Sequence, residues 1–550
     1  MSEASPRTLR THSPGALAVL LLATAVLAWN LGGYDLWAPD EPYFGEGARE
    51  MIADGHWLVP HVLGEVTTDK PPLFFWLIAV FSLPWGGISS WTARLPSLLA
   101  ALGTLALTMR LARRWWGERA PPVAGIFLAT MVLFWRQARS AQIDALLCFL
   151  ILISLSAFEA FRAGEARGRP AGLLFWGAAA AATLAKGPVG LLIPLLIALL
   201  TLGLDRDLRS WRRFAPFSGP ALFLALTGAW AAGAGAGGEY SVFGALRKHF
   251  LERAVHGMHH AQPPWYYLTT LPVGLLPWTG LVIGGLALAW RERRDPRMRL
   301  LLVWSATVVL MFSISTEKRD LYVLPAFPAF ALLATGLAAA LADREGRAPS
   351  RRWVTVSLGI FGGVAVLAGA ALPFASRYAR LPVDLTGPCR VLAVPLVLGG
   401  IAILIPSARG RWRAAILATA AVLAVSYLVG QSVVFPALNP IKSVRRLAVE
   451  AARETAGYRA AGGKVLELGL RNEPRAVAFY SKGVYPVDLQ GPEELERAVA
   501  GAAPVYALLD RGSLAALPAA TRGRLRILTA TRTSDAEILL VRSEPPPPGR

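Results

Sequence analysis

Apolar runs of roughly 17–22 residues recur along most of the chain, with short polar segments between them. A helix needs about 20 apolar residues to cross the hydrocarbon core of a bilayer. The pattern therefore predicts an all-α integral membrane protein with about 13 transmembrane helices. The count stays open by one or two, because 73–86 is also apolar and 171–203 can be divided in more than one way. The predicted spans are 15–31, 91–111, 121–137, 143–161, 171–185, 187–203, 215–233, 265–289, 299–314, 322–342, 353–372, 391–406 and 412–434.

Composition supports the membrane assignment, since 54% of the residues are hydrophobic and 17% are charged. A soluble domain carries about 25% charged residues, so an ordinary soluble enzyme and a disordered chain are both excluded. The net charge of +20 comes largely from arginine clusters in alternate loops, at 110–119, 162–169, 206–213, 291–299, 344–352 and 409–413. This is the positive-inside pattern. It explains the charge without a nucleic-acid partner, and it predicts a multi-pass protein of the bacterial inner membrane with a cytoplasmic N-terminus.

Two long loops and a C-terminal domain are predicted on the opposite, periplasmic face. The first loop covers 32–90 and contains a short amphipathic helix at 42–52 that we expect at the membrane interface; 71–86 is a second interfacial candidate. The second loop covers 234–264.

The transmembrane domain, which includes both loops, is assigned to 1–435. Short apolar strands then alternate with helical segments, which predicts a small extracytoplasmic α/β domain over 440–545. Its strands are expected at 464–470, 485–489, 505–510, 525–530 and 536–542.

The chemistry-bearing residues gather in the loops assigned to the periplasmic face. Ionisable residues at a membrane face are a functional-site hypothesis by default, although a solvated loop would also contain them. Carboxylates there can act as a general base or orient a hydroxyl, and cations can bind a phosphate as it leaves. No glycine-rich phosphate loop occurs, so a nucleotide substrate is unsupported. The two cysteines, Cys148 and Cys389, form neither a disulfide framework nor a metal motif. A lipid-phosphate-linked substrate is the prediction.

A set of ordered motifs narrows this prediction. In chain order they are DEPYFGEGAREM at 40–51, WLVPH at 57–61, DKPPL at 69–73, DALL at 144–147, AKGP at 185–188, HFLER at 249–253, PWYY at 264–267 and YVLP at 322–325. With them the chain resembles the polytopic GT-C glycosyltransferases of the aminoarabinose transferase and protein mannosyltransferase type over about residues 15–335. The resemblance implies a GT-C fold and inverting transfer of a sugar from a polyprenyl-phosphate donor, in particular undecaprenyl phosphate.

The resemblance also implies roles for single residues. Asp40 matches the family's first-loop aspartate, a candidate base or acceptor-orienting group, and Asp144 matches its second acidic position. Glu41, next to Asp40, is counted with these catalytic candidates. The substrate-binding candidates, most of them expected at the donor phosphate, are Lys70, Lys186, Arg253, Tyr322 and Tyr43. Asp69 and His249 match positions that can share a divalent metal such as Zn, Mg or Mn, and no other cofactor is expected.

Departures from the family pattern leave the sugar and the acceptor open. The chain has Pro42-Tyr43 where relatives often have Ala-Arg, Phe44 where Tyr is common, and Asp69 where aminoarabinose transferases usually have Glu. The acceptor is a lipid such as lipid A, a cell-envelope glycan, or a protein that is O-glycosylated. A transporter of polyprenyl lipids is the alternative from another class. It would favour charged residues in mid-span and internal repeats.

Overall fold

The protein is described by a computed structural model that covers residues 14–238, 240–241, 244, 261–343, 351–378, 382–501, 503–534 and 536–544. Most of the predicted second loop, including His249 and Arg253, lies outside these residues. The described part consists of a long helical region followed by a small region built on a β-sheet.

Each of the 13 predicted spans coincides with a helix or with two consecutive helices. The helices of this region are α1 Pro14–Ala28, α2 Asp40–Asp54, α3 Leu73–Ser82, α4 Ser90–Trp116, α5 Ala120–Thr130, α6 Val132–Ala138, α7 Asp144–Arg162, α8 Gly168–Lys186, α9 Val189–Leu204, α10 Ser218–Ala236, α11 Tyr266–Gly274, α12 Thr279–Arg291, α13 Pro296–Ile314, α14 Phe327–Ala342, α15 Arg351–Tyr378, α16 Thr386–Ala408, α17 Trp412–Val429 and α18 Phe435–Lys442. A 3₁₀ turn, Asp320–Ala326, leads directly into α14.

Within the described residues, eight helices are long and apolar enough to cross a membrane. A ninth results if α11 and α12, which meet at 112°, form one broken span. Other predicted spans fall on apolar helices that are shorter than a bilayer crossing requires, namely α1, α5 and α9. The membrane class of the fold is confirmed, while the count of 13 stays a prediction.

Helix α14 forms the centre of the helical region. All residues from Phe327 to Ala338 are buried, and many of them are small. The small residues allow close helix packing of the kind found in membrane proteins. At Gly285 on α12, an added Cβ would lie 2.4 Å from the backbone oxygen of Leu333, so only glycine allows this approach of α12 to α14.

The first loop folds into a compact layer above the helices. It consists of α2, a hairpin of β1 His61–Val62 and β2 Glu65–Val66, and α3. The predicted helix at 42–52 is confirmed as part of α2, but most of it is buried instead of lying on the membrane surface. Its apolar side is covered because Phe44 packs against Phe74 and Phe75 of α3, with ring centroids 5.0 and 5.3 Å apart.

The C-terminal region contains a five-stranded mixed sheet whose strands lie where the sequence places them. The strands are β3 Leu466–Leu468, β4 Val487–Asp488, β5 Tyr506–Asp510, β6 Leu525–Arg532 and β7 Glu537–Ser543, in the order β4-β3-β5-β7-β6. Strand β3 is parallel to β4 and β5, and β7 is antiparallel to β5 and β6. The helices are α19 Arg445–Glu454, α20 Ala456–Ala460, α21 Glu473–Ser481, α22 Pro492–Ala500, α23 Arg511–Ala516 and α24 Ala519–Gly523. Helix α21 packs against α2, so this region contacts the first loop directly.

Candidate active site

A buried ion pair fixes the start of the first loop. Arg94 of α4 is fully buried, and its Nε and Nη2 donate to the two Glu41 carboxylate oxygens at 2.7 and 2.8 Å. The same guanidinium donates to three backbone carbonyls, those of Leu31, Tyr34 and Asp35. Glu41 accepts two further hydrogen bonds from backbone N–H groups, and is thereby held by four donors. This network places the first turn of α2.

Asp40 lies in that first turn and has two partners from distant parts of the chain. Nη1 and Nη2 of Arg319 donate to Oδ1 and Oδ2 of Asp40 at 3.1 and 2.5 Å, and the Gln142 amide donates to Oδ2 at 2.7 Å. The side chain of Asp40 is 23% exposed and that of Arg319 is 26% exposed. The carboxylate is therefore held in one orientation while part of it stays accessible.

The segment that presents Arg319 is itself anchored. The Tyr267 hydroxyl donates to the Arg319 carbonyl at 3.1 Å. The neighbouring Lys318 is buried, and its ammonium donates to the carbonyls of Gln262 and Ser315. A β-bridge between Ala261 and Glu317 holds the segment against the end of the second loop. The guanidinium thus reaches Asp40 from a fixed base.

Asp144 forms the second carboxylate–cation pair. It is buried at the first position of α7 and accepts a hydrogen bond from the Lys186 ammonium at the last position of α8. That ammonium also lies 4.5 Å from the centre of the Tyr322 ring. Asp144 and Tyr322 both interact electrostatically with Arg319, so the two pairs belong to one cluster. The structure brings together four of the predicted site residues: Asp40, Asp144, Lys186 and Tyr322.

Asp69 and Lys70 lie in the first loop, between β2 and α3, and both are half-buried. The Lys70 ammonium donates to the Asp69 carbonyl at 3.0 Å. Burial, together with the Asp69 charge, raises the pKa of Tyr240 to about 12, which places Tyr240 of the second loop near Asp69. The Trp230 indole near the end of α10 also donates to the Leu58 carbonyl. The described start of the second loop therefore packs on the first.

The predicted metal pair is only partly visible. Asp69 is described, whereas His249 lies outside the described residues, as does the donor-binding candidate Arg253. Among the residues that the structure covers, no group of three or more His, Cys, Asp or Glu side chains is placed to hold a metal ion. The metal assignment stays a prediction.

Tyr43 and the outer part of α2 face the C-terminal region. The Tyr43 hydroxyl is 2.9 Å from Thr67 Oγ1, and the Arg475 guanidinium of α21 lies 5.0 Å from the centre of the Tyr43 ring. The Tyr480 hydroxyl accepts the Leu36 N–H at 2.5 Å. Phe479 packs against Gly45, where an added Cβ would lie 3.1 Å from the ring. Helix α21 thus packs against α2, the helix that carries Asp40, and holds it in place.

Two acidic side chains of α2 are buried near this contact. Glu46 binds Arg49 at 2.8 Å, and Arg49 reaches the Tyr485 hydroxyl at 2.6 Å. Glu50 accepts the N–H groups of residues 63 and 64 of the hairpin. Burial raises the pKa of Glu50 to about 8, and the adjacent Glu46 carboxylate adds to this shift. The Glu50 carboxyl therefore keeps its proton to a higher pH than an exposed glutamate does.

Sequence analysis did not assign site roles to three residues of this cluster: Arg94, Gln142 and Arg319. Arg94 interrupts the apolar run 91–111, and a buried charge in such a run requires a partner, so a signal was present. Arg319 lies in a short charged segment between two predicted spans, but nothing in the sequence connects it to Asp40. Gln142 had no signal beyond its proximity to Asp144.

Comparisons with known proteins identify the family of the chain. Residues 69–231 match the family model described as dolichyl-phosphate-mannose-protein mannosyltransferase. The undecaprenyl phosphate-α-4-amino-4-deoxy-L-arabinose arabinosyl transferase of Pseudomonas paraeruginosa is 31% identical over 404 residues, which are 72% of this chain and 71% of that protein. The corresponding enzyme of Aeromonas salmonicida is 30% identical over 346 residues, 61% of this chain and 62% of that protein.

Solved structures show the same fold. ArnT from Cupriavidus metallidurans, bound to undecaprenyl phosphate, superposes with a TM-score of 0.77 and 21% identity, over 96% of this chain and 98% of that one. The archaeal oligosaccharyltransferase AglB from Archaeoglobus fulgidus superposes with a TM-score of 0.51 and 12% identity, over 90% of this chain and 69% of that one. The predicted GT-C fold and enzyme class are confirmed, and the chain belongs to the family of undecaprenyl phosphate-aminoarabinose arabinosyl transferases, polytopic membrane glycosyltransferases.

Proposed function

We propose that the protein transfers a sugar from an undecaprenyl-phosphate donor to a lipid acceptor, such as lipid A or a cell-envelope glycan lipid, at the outer face of the inner membrane. The relatives that match over two thirds of their length are named for an undecaprenyl phosphate-linked sugar, and the related solved structure is bound to undecaprenyl phosphate. The observation that carries the proposal is the cluster of Asp40 and Asp144, each with its own cation, although the two lie about 100 residues apart in the sequence.

The proposed reaction is a substitution at the anomeric carbon of the donor sugar. An acceptor oxygen attacks this carbon, the bond from the carbon to the phosphate oxygen breaks, and polyprenyl phosphate leaves. Asp40 orients the acceptor oxygen and accepts its proton when the acceptor is a hydroxyl. Lys70, Lys186 and Tyr322 are assigned to the donor phosphate, where cations and donors stabilise the charge of the leaving group.

The remaining predicted residues receive roles from their contacts. Asp144 holds the Lys186 ammonium against Tyr322, and we assign it the task of aiming that cation at the phosphate. Glu41 is buried, and the hydrogen bonds that it accepts from the described residues come from Arg94 and two backbone N–H groups, which supports a positioning role in place of the predicted catalytic one. Tyr43 is buried beneath Arg475, so contact with the substrate would require this part of the first loop to open.

The decisive experiment compares Asp40→Asn with Asp35→Asn. Asp35 is a matched control, because it is an acid of the same loop whose partners, Arg445 and Ser443, belong to the segment that leads into the C-terminal region. The purified variants are incubated with a panel of polyprenyl-phosphate sugars and membrane lipid extract, and products are read by mass spectrometry. Asp40→Asn should reduce transfer by roughly 100-fold or more, whereas Asp35→Asn should transfer at close to the wild-type rate. Wild-type turnover in Asp40→Asn would remove Asp40 from the mechanism.

Protein O-glycosylation is the second candidate, and the match of residues 69–231 to the protein mannosyltransferase family model favours it. The same assay separates the two candidates when a periplasmic protein extract replaces the lipid extract. Transfer to lipid and none to protein supports the first proposal; the reverse result supports the second.

The proposed orientation places the N-terminus in the cytoplasm and the cluster and C-terminal region in the periplasm. It rests on the arginine clusters in alternate loops. A reporter fused after residue 550 should then be active outside the cytoplasm, and a cytoplasmic signal would contradict the orientation.

A further inference from the structure

The salt bridge between Arg319 and Asp40 occupies the carboxylate that the reaction requires. Both Asp40 oxygens accept a guanidinium N–H, and Oδ2 also accepts the Gln142 amide. A bidentate arginine–carboxylate pair is among the strongest polar contacts in proteins and fixes the plane of the carboxylate. The accessible part of Asp40 is correspondingly small, because its side chain is 23% exposed.

This arrangement limits what Asp40 can deprotonate. A general base must receive the proton on an oxygen that is within hydrogen-bonding reach of the reacting group. Here Oδ2 already accepts two hydrogen bonds and Oδ1 accepts one, so a group that gives its proton to Asp40 must approach the remaining lone pair of Oδ1 beside the guanidinium or displace the guanidinium. Displacing the guanidinium breaks a charge-assisted hydrogen bond between Arg319 and Asp40. A water molecule makes too few contacts with the protein to offset this loss, whereas a large acceptor makes many.

We propose that Arg319 is a specificity-determining residue that directs the donor to transfer in place of hydrolysis. In the hydrolysis that it suppresses, a water oxygen attacks the anomeric carbon and the carbon–oxygen bond to the phosphate breaks. The water proton passes to Asp40, and free sugar and polyprenyl phosphate are released. The inference rests on the proposed function, since it assumes an activated lipid-phosphate sugar in this site.

The contacts of Arg319 suit this role. Neighbouring residues hold its backbone by hydrogen bonds, while its side chain forms the ion pair with Asp40. Its carbonyl accepts the Tyr267 hydroxyl at 3.1 Å and the Tyr322 N–H at 3.1 Å. The neighbouring Lys318 is tied to two backbone carbonyls. A side chain on so rigid a support can return to Asp40 after each turnover.

The test uses Arg319→Met and Arg319→Lys, with Arg136→Met as the matched control. Arg136 is also an arginine in an ion pair, 2.6 Å from Asp320, the residue that follows Arg319. Purified full-length protein is incubated with a polyprenyl-phosphate sugar that the wild type uses. Free sugar and glycosylated lipid are quantified with and without lipid extract. Size-exclusion profiles and melting temperatures confirm that each variant is folded.

Arg319→Met should raise the ratio of hydrolysis to transfer by at least about tenfold, since a hydrogen bond to a charged group corresponds to roughly a factor of 10–100 in an equilibrium constant. Arg319→Lys keeps the positive charge but loses the planar guanidinium with its two parallel N–H groups, so it should raise this ratio by less. Arg136→Met should leave the ratio unchanged. If Arg319→Met does not fold, Arg319→Lys decides alone.

Each other outcome counts against the inference. An unchanged ratio in folded Arg319 variants, or an equal fall of both products, overturns it and leaves the proposed function intact, because the wild type still transfers. An equal rise in Arg136→Met also overturns it, since the effect would not be specific to Arg319. A wild type that neither transfers nor hydrolyses any polyprenyl-phosphate sugar defeats the proposed function, and the inference falls with it.

Discussion

Replacing Arg94 by Met tests the network that positions the first loop. The substitution keeps an unbranched apolar chain but removes a guanidinium that makes five hydrogen bonds. Breaking a buried ion pair by removing one partner costs about 3–5 kcal/mol, because the remaining charge stays buried. Two backbone N–H groups still bind the Glu41 carboxylate, which offsets part of this loss. Three carbonyls meanwhile lose their donor. We therefore expect a loss of about 3 kcal/mol.

The assay is reversible unfolding of the detergent-solubilised protein, applied to Arg94→Met, Glu41→Gln and the double variant. The double variant leaves no unpaired charge, so it should be more stable than the sum of the single losses predicts, with a coupling of roughly 2 kcal/mol. Glu41→Gln should retain transfer activity in proportion to its folded fraction, unlike Asp40→Asn. A loss below about 1 kcal/mol in Arg94→Met, or strict additivity, would refute the reasoning.

Three further predictions concern Glu50 of the first loop, Tyr480 of the C-terminal region and the Asp144–Lys186 pair. The pKa of Glu50 in the folded protein, about 8, is above its ordinary value of 4.5, so the stability it contributes is present below pH 4.5 and lost as the pH rises through 8. The melting temperature of the wild type should therefore fall more between pH 5 and 9 than that of Glu50→Gln; parallel profiles would contradict this. Tyr480→Phe removes the hydroxyl that accepts the Leu36 N–H and should destabilise the protein by about 1 kcal/mol in chemical unfolding, and no change would mean that the contact is not formed in solution. Lys186→Met should weaken donor binding and leave Asp144 unpaired, and unchanged donor affinity would disprove the phosphate role.

The elements were predictable where local pattern alone decides them. The five C-terminal strands lie where short apolar runs alternate with helical segments, and β5 is a typical case, with four buried residues in succession. The apolar runs likewise coincide with helices. The number of membrane crossings was harder to predict from the sequence. Whether short helices such as α5 and α9, or the broken pair α11–α12, cross the membrane depends on packing between helices and not only on the length of an apolar run.

The partners within the site were beyond the reach of local pattern. Asp40 and Asp144 were recognised through the family motifs, but Arg319 reaches Asp40 across 279 positions and Arg94 reaches Glu41 across 53. A sequence shows that a buried charge needs a counter-ion without showing which one. The burial of α2 was missed for the same reason, since its outer side is covered by α21, more than 400 residues further along the chain.

The contact between Gly45 and Phe479 has a consequence for how this enzyme diversifies. A methyl group at position 45 would approach Leu36 to 2.8 Å and the Phe479 ring to 3.1 Å, so the two regions of the chain share one steric constraint. Homologues with a larger residue at 45 should therefore have smaller residues at both 36 and 479, and chimaeras that exchange the C-terminal region alone should be less stable until these three positions are matched.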